Sequence, residues 1–256
     1  MIEGVFQREI HGGRVIKETE EVYRLFLPEL NAGTYGLSQL DNYSHLARQK
    51  FPYYPPIALQ IEAKAGGKDL RGTWGFGLWN DPFSAGFGAG GMSKWLPVLP
   101  NAAWFFFASP PNQLSLRSNL PGSGFHLKTF RSALLPSFLS LLAIPAAPLL
   151  FWKVTARIIR RFVKVFIQEA AFSPEIDVDD WHRFQIIWAA DKVDFLIDDG
   201  ETFTTSISPC GRLGLVIWID NQYFYWNPKG KPGFGSLSTY KDQAIFIRNL
   251  NISQIE

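Results

Sequence analysis

The stretch DWHRFQIIWAADKVDFLIDDG, Asp180 to Gly200, decides the fold. Phe184, Ile186 and Trp188 alternate with Arg183, Gln185 and Ile187. After a short polar turn at Ala189–Lys192, Val193, Phe195 and Ile197 alternate with Asp194, Leu196 and Asp198. Period-two patterning on both sides of a short turn predicts an antiparallel hairpin, and Asp199-Gly200 supplies the next tight turn.

Working outward, strand-like segments recur at Glu21–Leu27, Thr34–Leu40, Ile57–Ala65, Thr73–Trp79, Ala102–Ala108, Leu114–Arg117 and Phe125–Phe130. They resume at Leu213–Ile219, Tyr223–Trp226 and Ala244–Ile252. Short strands punctuated by Gly, Pro, Asn and Asp predict an all-β, two-sheet antiparallel sandwich. At 256 residues, 46% of them hydrophobic, residues 1–256 fit one such domain.

The residues Trp181-His182, Phe184, Ile186, Trp188, Val193, Phe195 and Ile197-Asp198-Asp199-Gly200 resemble a hairpin signature of the concanavalin A-like lectin/glucanase superfamily. By pattern the nearest member is glycoside hydrolase family 16. The resemblance runs from about Ile57 to Ile252, apart from residues 131–174, and implies a jelly-roll sandwich with a concave substrate face. It also implies a strand carrying E-[IV]-D-[IVF]-x-E, whose outer glutamates act as nucleophile and acid/base in a retaining displacement.

The segment preceding that strand is recognisable as Gly72-Thr73-Trp74-Gly75-Phe76-Gly77-Leu78-Trp79. The strand itself reads Asn101-Ala102-Ala103-Trp104-Phe105-Phe106-Phe107-Ala108-Ser109 and contains no acid. Glu175-Ile176-Asp177-Val178-Asp179-Asp180 has suitable residue types, but it directly precedes Trp181-His182 and reads as a solvated acidic turn. Asp81 and Asp220, each at a strand end in GLWND and VIWIDNQ, remain as weak catalytic candidates if the two segments meet. Turn-amide or ligand-hydroxyl hydrogen bonding is the favoured role for both. A working retaining glycosidase is therefore not expected.

Nine Trp and 22 Phe exceed what a plain β-core requires. Trp74, Trp79, Trp104, Phe106, Trp218, Asp220, Tyr223 and Trp226 form the expected ligand-binding set, in a cleft suited to sugar faces or an apolar chain. Core packing is the competing role for each ring. His11, His45 and His126 are scattered, and His182 reads as structural, so no metal site or cofactor is expected. The single Cys210 leaves no intramolecular disulfide. Gly86, Gly88, Gly90 and Gly91 form one pliant rim, and Asn227–Gly235 a cationic one; neither joins a strand to a helix as a phosphate cradle does.

Between Arg131 and Pro174 the pattern changes. Ser132–Trp152 holds no charged residue and is broken by Pro136, Pro145 and Pro148. Lys153, Arg157, Arg160, Arg161 and Lys164 follow at helical spacing, opposite Ile158, Ile159, Phe162, Val163 and Phe166. This predicts an apolar hairpin and a basic amphipathic helix inserted at 131–174. The expected membrane-contact residues are Leu135, Phe138, Leu141, Leu149, Phe151, Trp152, Lys153, Arg157, Arg160, Arg161 and Lys164, with the cations on anionic lipid. Packing on the chain's own sheet, a dimer contact and a lid over the cleft are the alternatives.

A net charge of +2 argues against a nucleic-acid partner. No apolar run follows the early charges of MIEGVFQREIHGG, so a cytoplasmic protein in peripheral or monotopic contact with a membrane is expected. The expected function is non-hydrolytic binding of a glycan, glycolipid or lipophilic small molecule. The alternatives are an enzyme of altered chemistry on the same scaffold, acting on a glycoside or an isoprenoid-like substrate, and a structural homo-oligomer.

Overall fold

The computed structural model describes residues 4–82, 94, 96–117, 119–136, 138, 148–150, 152–226 and 232–255. Two seven-stranded antiparallel sheets face each other. The sheet that corresponds to the concave one of the resemblance, called the concave sheet below and the other the convex, runs β1 (Phe6–Ile10), β4 (Leu37–Asp41), β13 (Gly214–Asp220), β6 (Thr73–Trp79), β7 (Ala102–Ala108), β8 (Gly124–Ser132) and β9 (Ile167–Phe172). The convex sheet runs β12 (Gly200–Thr205), β11 (Val193–Ile197), β10 (His182–Trp188), β5 (Ile57–Ala65), β16 (Gln243–Gln254), β3 (Tyr23–Leu27) and β2 (Arg14–Lys17). A small hairpin, β14 (Gln222–Tyr225) with β15 (Gly233–Ser236), stands beside them. This is the all-β jelly-roll sandwich expected from the sequence, with one α-helix among the described residues, α1 (Lys153–Phe166), between β8 and β9.

The deciding hairpin pairs Phe184 with Ile197, Ile186 with Phe195 and Trp188 with Val193. Phe184, Ile186, Trp188, Val193 and Phe195 all enter the inter-sheet core, which the alternation dictated. They meet Trp74, Phe76, Leu78, Phe105 and Leu127 from the concave sheet. Phe105 lies 4.9 Å from Phe184 and 5.3 Å from Phe195, ring centre to ring centre, which ties the two sheets together at mid-strand.

In the concave sheet the alternation disappears, because both faces are covered. Every residue of β13 and of β7 except Phe107 is buried, so these strands read as continuous apolar runs. The far face carries a second core of Leu37, Tyr43, Phe51, Trp104, Phe106, Phe130, Ile167, Val216 and Trp218. Leu46, Leu99, Leu114, Leu116 and Val163 pack against it.

Two expectations are corrected. Leu114–Arg117 is not a strand; only the neighbouring Gln113 makes a bridge, to Tyr225, and the segment packs over the concave face instead. The insertion is narrower than 131–174, because β8 continues to Ser132 and α1 turns at Ile167 directly into β9, an edge strand of the concave sheet.

Candidate ligand site on the concave face

Register fixes which side chains meet. Across β13, β6, β7 and β8 the concave-face rows are Asp220–Thr73–Ala108–Gly124, Trp218–Gly75–Phe106–His126, Val216–Gly77–Trp104–Lys128 and Gly214–Trp79–Ala102–Phe130. Glycine on β6 makes room for the rings. A Cβ on Gly75 would sit 2.9 Å from the Trp218 ring, and one on Gly77 would lie 2.6 Å from Trp104 Cα and Cβ. Trp79 and Trp218 are nearly parallel, 6.3 Å apart at 6°. Trp104 tilts against both at 5.8 Å and lies 5.7 Å from Phe106.

Structure thus brings together Trp79, Trp104, Phe106, Trp218 and Asp220 of the expected set. Trp74 is corrected. It has the opposite parity from Trp79 and lies in the inter-sheet core, 5.7 Å from Phe107 and 5.4 Å from Phe125. Tyr223 is on the separate hairpin, parallel to Tyr225 at 6.1 Å, with both rings close over Gly235 and Gly233. Trp226 closes that strand, and its backbone oxygen accepts a hydrogen bond from Arg160 Nε at 2.7 Å.

The rings are packed more tightly than an open cleft implies, since Trp104 and Trp218 are only 7% and 8% exposed. Two polar groups nevertheless interrupt this apolar layer. Trp104 Nε1 is buried with no hydrogen-bond acceptor among the described residues, as is Trp74 Nε1 in the inter-sheet core. Asp220 accepts a hydrogen bond from Thr73 Oγ1 at 2.7 Å and from the Gln222 amide at 3.1 Å. Thr73 Oγ1 in turn accepts one from Trp218 Nε1 at 2.9 Å. Burial pushes the Asp220 carboxyl up to about 6, against the pull of these hydrogen bonds.

Asp81 and Asp220 do not form a pair. Asp220 neighbours Thr73 at the start of β6, whereas Asp81 follows Trp79 beyond its end, so about 20 Å of strand separates them. Asp81 is fully buried, and its backbone oxygen accepts hydrogen bonds from Arg48 Nε and Nη2. The next carboxylate on the concave face, Asp41, is paired in register with Val216, about 13 Å along β13 from Asp220. Double displacement by carboxylates about 5 Å apart has no support in these positions. Glu175–Asp180 lies outside the concave face, with Asp177 on Lys68 at 2.6 Å, and only shallow depressions of about 370 and 590 Å³ border it.

Sequence reasoning missed the ionic end of the face. Lys128 Nζ lies 3.3 Å from Glu169 Oε2, with both side chains buried, and donates to Leu114 O and Ser115 Oγ. Burial lowers the Lys128 ammonium to about 8, which Glu169 opposes. Glu169 also accepts the Arg117 amide, so this pair straps the 114–117 segment across the sheet. Beside it, His126 is held neutral, lowered to about 4 by burial and by the Lys128 charge, with Nδ1 2.9 Å from Ser173 Oγ. No pattern of spacing marked these residues; they meet only through the β7–β8–β9 register.

Helix α1 lies on top of that strap. Ala156 and Arg160 are its buried residues, and Arg160 reaches Ser115 O at 3.2 Å as well as Trp226 O. Arg160 is therefore no headgroup cation, and Lys164 is partly buried. The outward face shows Val154, Ile158, Phe162, Val165 and Phe166, with Phe162 64% and Val165 75% exposed. Trp152, Leu149, Phe138, Leu135 and Leu134 are also exposed, and Lys153, Arg157 and Arg161 lie exposed on the same helix. Leu141, Phe151, Gly86, Gly88, Gly90 and Gly91, and residues 227–231 of the cationic rim, fall outside the described residues. Among the described residues no helix is long and apolar enough to cross a membrane, and no cluster of three or more His, Cys, Asp or Glu could hold a metal ion.

No family model matches the chain, and no curated protein matches it. Solved structures with similar architecture include a sialidase, at 9% identity and TM-score 0.46, covering 99% of this chain and 17% of the sialidase. The exoplasmic/lumenal domain of VIP36, in a Ca2+/Man3GlcNAc-bound form, shares 11% identity at TM-score 0.47 over 100% of this chain and 86% of its own. A Bacillus licheniformis β-glucanase gives 9%, TM-score 0.47, and 100% and 94% coverage.

Proposed function

We propose that this chain is a carbohydrate-related binding protein that works without retaining hydrolysis at the cytoplasmic face of a membrane. It holds a glycan, glycolipid or other amphiphilic ligand at the concave face. The observation that carries the reading is the outward side of α1. Five large apolar side chains, Val154, Ile158, Phe162, Val165 and Phe166, face solvent while the helix buries Ala156 and an arginine. A helix that only packs on its own domain turns its apolar side inward. This one is inverted.

The magnitudes suffice for attachment. Burying these side chains and Trp152 in the headgroup boundary contributes roughly 10 kcal/mol as an upper bound. Lys153, Arg157 and Arg161 add about 1 kcal/mol each on an anionic surface. On the ligand side, a buried carboxyl and a layer of aromatic rings on one face are chemistry suited to sugar hydroxyls and sugar faces.

Flotation with phosphatidylcholine/phosphatidylglycerol vesicles tests the membrane part. The wild type floats with the vesicles. Phe162→Asp, at an exposed position that leaves the fold intact, stays in the aqueous fraction. A wild type that remains aqueous and sediments as a dimer dissociated by Phe162→Asp identifies the face as a subunit contact and overturns the reading.

A further inference from the structure

We infer that the β14–β15 hairpin is a second point of membrane contact, with Phe224 and Phe234 entering the same lipid surface as α1. This rests on the membrane reading above and adds a contact that no part of α1 supplies. Alternation separates the two faces of the hairpin. Tyr223 and Tyr225 point to one face, over Gly235 and Gly233. Phe224 and Phe234, a cross-strand pair, point to the other. The phenylalanine face is the one left to solvent, with Phe234 64% and Phe224 38% exposed.

What covers the concave face fixes where that hairpin lies. Leu114 and Leu116 of the strap and Val163 of α1 pack on one aromatic layer, so strap and helix share the concave side. β14 extends the strap. Gln113 pairs with Tyr225, the Gln113 amide donates to Phe224 O at 2.9 Å, and the Phe224 amide donates to Asn112 Oδ1 at 2.9 Å. Arg160 completes the arrangement, its Nη2 donating to Ser115 O and its Nε to Trp226 O. Helix, strap and hairpin are thus bonded into one covering on one side of the sandwich. Such coupling lets two apolar elements meet one surface without either being reordered.

The occupant follows from composition. Neither Gln222–Tyr225 nor Gly233–Ser236 carries a charge, so entry into an interface desolvates no ion. Phenylalanine flanked by Tyr223, Tyr225 and Trp226 is the residue mix of the headgroup region, where rings bury an apolar body and keep a polar tip wet. Hydrogen bonding bounds the depth. No strand lies beyond β15 among the described residues, and an edge strand needs water or headgroup partners. The hairpin therefore reaches the headgroup boundary and no deeper, the level at which the outward face of α1 lies. Two contacts hold the chain in one orientation, whereas α1 alone leaves it free to roll about the helix axis.

Titration of the full chain with phosphatidylcholine/phosphatidylglycerol vesicles tests this with uncharged substitutions, which avoid repulsion from the anionic lipid. Phe234→Ser is expected to weaken partitioning about tenfold with an unchanged thermal midpoint, and Phe224→Ser, at a less exposed ring, by a smaller factor. Phe234→Leu, still apolar, should stay within about twofold of the wild type. Wild-type affinity in both serine variants overturns the inference while the membrane reading stands. So does a loss that Phe234→Leu shares in full, which marks a shaped protein contact, or a wild-type dimer that Phe234→Ser dissociates. A wild type that binds no vesicles overturns the membrane reading and this inference with it.

Discussion

At the scale of single residues, the concave face holds three ionisable groups that burial drives toward neutrality, and they pull stability in different directions. Asp220 sits at about 6 in the fold against 3.8 when unfolded, so the folded state binds the extra proton between those values. Its favourable contribution is present below pH 4 and is lost as pH rises through 6, a difference of about 3 kcal/mol at most. Asp220→Asn is therefore expected to raise the urea midpoint at pH 7 and to have little effect at pH 4. A difference between variant and wild type that is constant over that range would contradict the assignment. His126, lowered to about 4, acts oppositely: its neutral form favours the fold above pH 6.5, and that advantage fades as pH falls toward 4. Lys128, lowered to about 8, binds fewer protons folded than unfolded above that point, so its charge disfavours the fold less as pH rises from 8 to 10.5. The Asp220 substitution isolates one of these effects from the other two.

At the scale of elements, the glycines of β6 decide whether rings can lie across the sheet. Gly75→Ala puts a Cβ against the Phe105 carbonyl and 2.9 Å from the Trp218 ring, neither of which has space to retreat. The expected loss is about 2–3 kcal/mol, read as a lower thermal midpoint with weakened near-ultraviolet tryptophan dichroism. An unchanged midpoint would mean that Trp218 is not pressed on β6. Much of this was legible beforehand. Ile57–Ala65, Thr73–Trp79, Ala102–Ala108 and Val193–Ile197 were read with their observed bounds, and the odd positions of GTWGFGLW already separated Trp74 from Trp79. Parity gives a side chain's face but not what covers that face. The burial of Trp104 depends on Leu114, Leu116 and Val163 arriving from distant segments, and nothing local in the sequence encodes that. The same gap explains α1. Periodicity placed a helix there, but which side meets the sheet depends on Ser115 and Trp226 offering backbone oxygens to Arg160.

At the scale of the whole molecule, each sheet depends on a strand from the last quarter of the chain. The last strand, β16, lies between β5 and β3 and bonds to both. β13 likewise joins β4 to β6. A chain ending at Leu237, without β16, is expected to lose the strand that joins β5 to β3 in the convex sheet and to show no cooperative unfolding transition. A truncated protein that melts as sharply as the full chain would show that the sheet tolerates the gap. β1, β2, β9, β12 and β15 were not anticipated, because all are short, at most six residues, and most lie at sheet edges where one face or both stay polar.

The late position of β16 has a consequence during synthesis. The ribosome has made the proline-broken apolar run and α1 well before Gln243–Gln254 emerges, and at ordinary elongation rates the interval is roughly 5–20 s. Throughout it the convex sheet lacks the strand that joins β5 to β3. The apolar segment and α1 thus spend that interval outside a completed sandwich, and their exposed side chains must stay soluble as a nascent chain until β16 arrives.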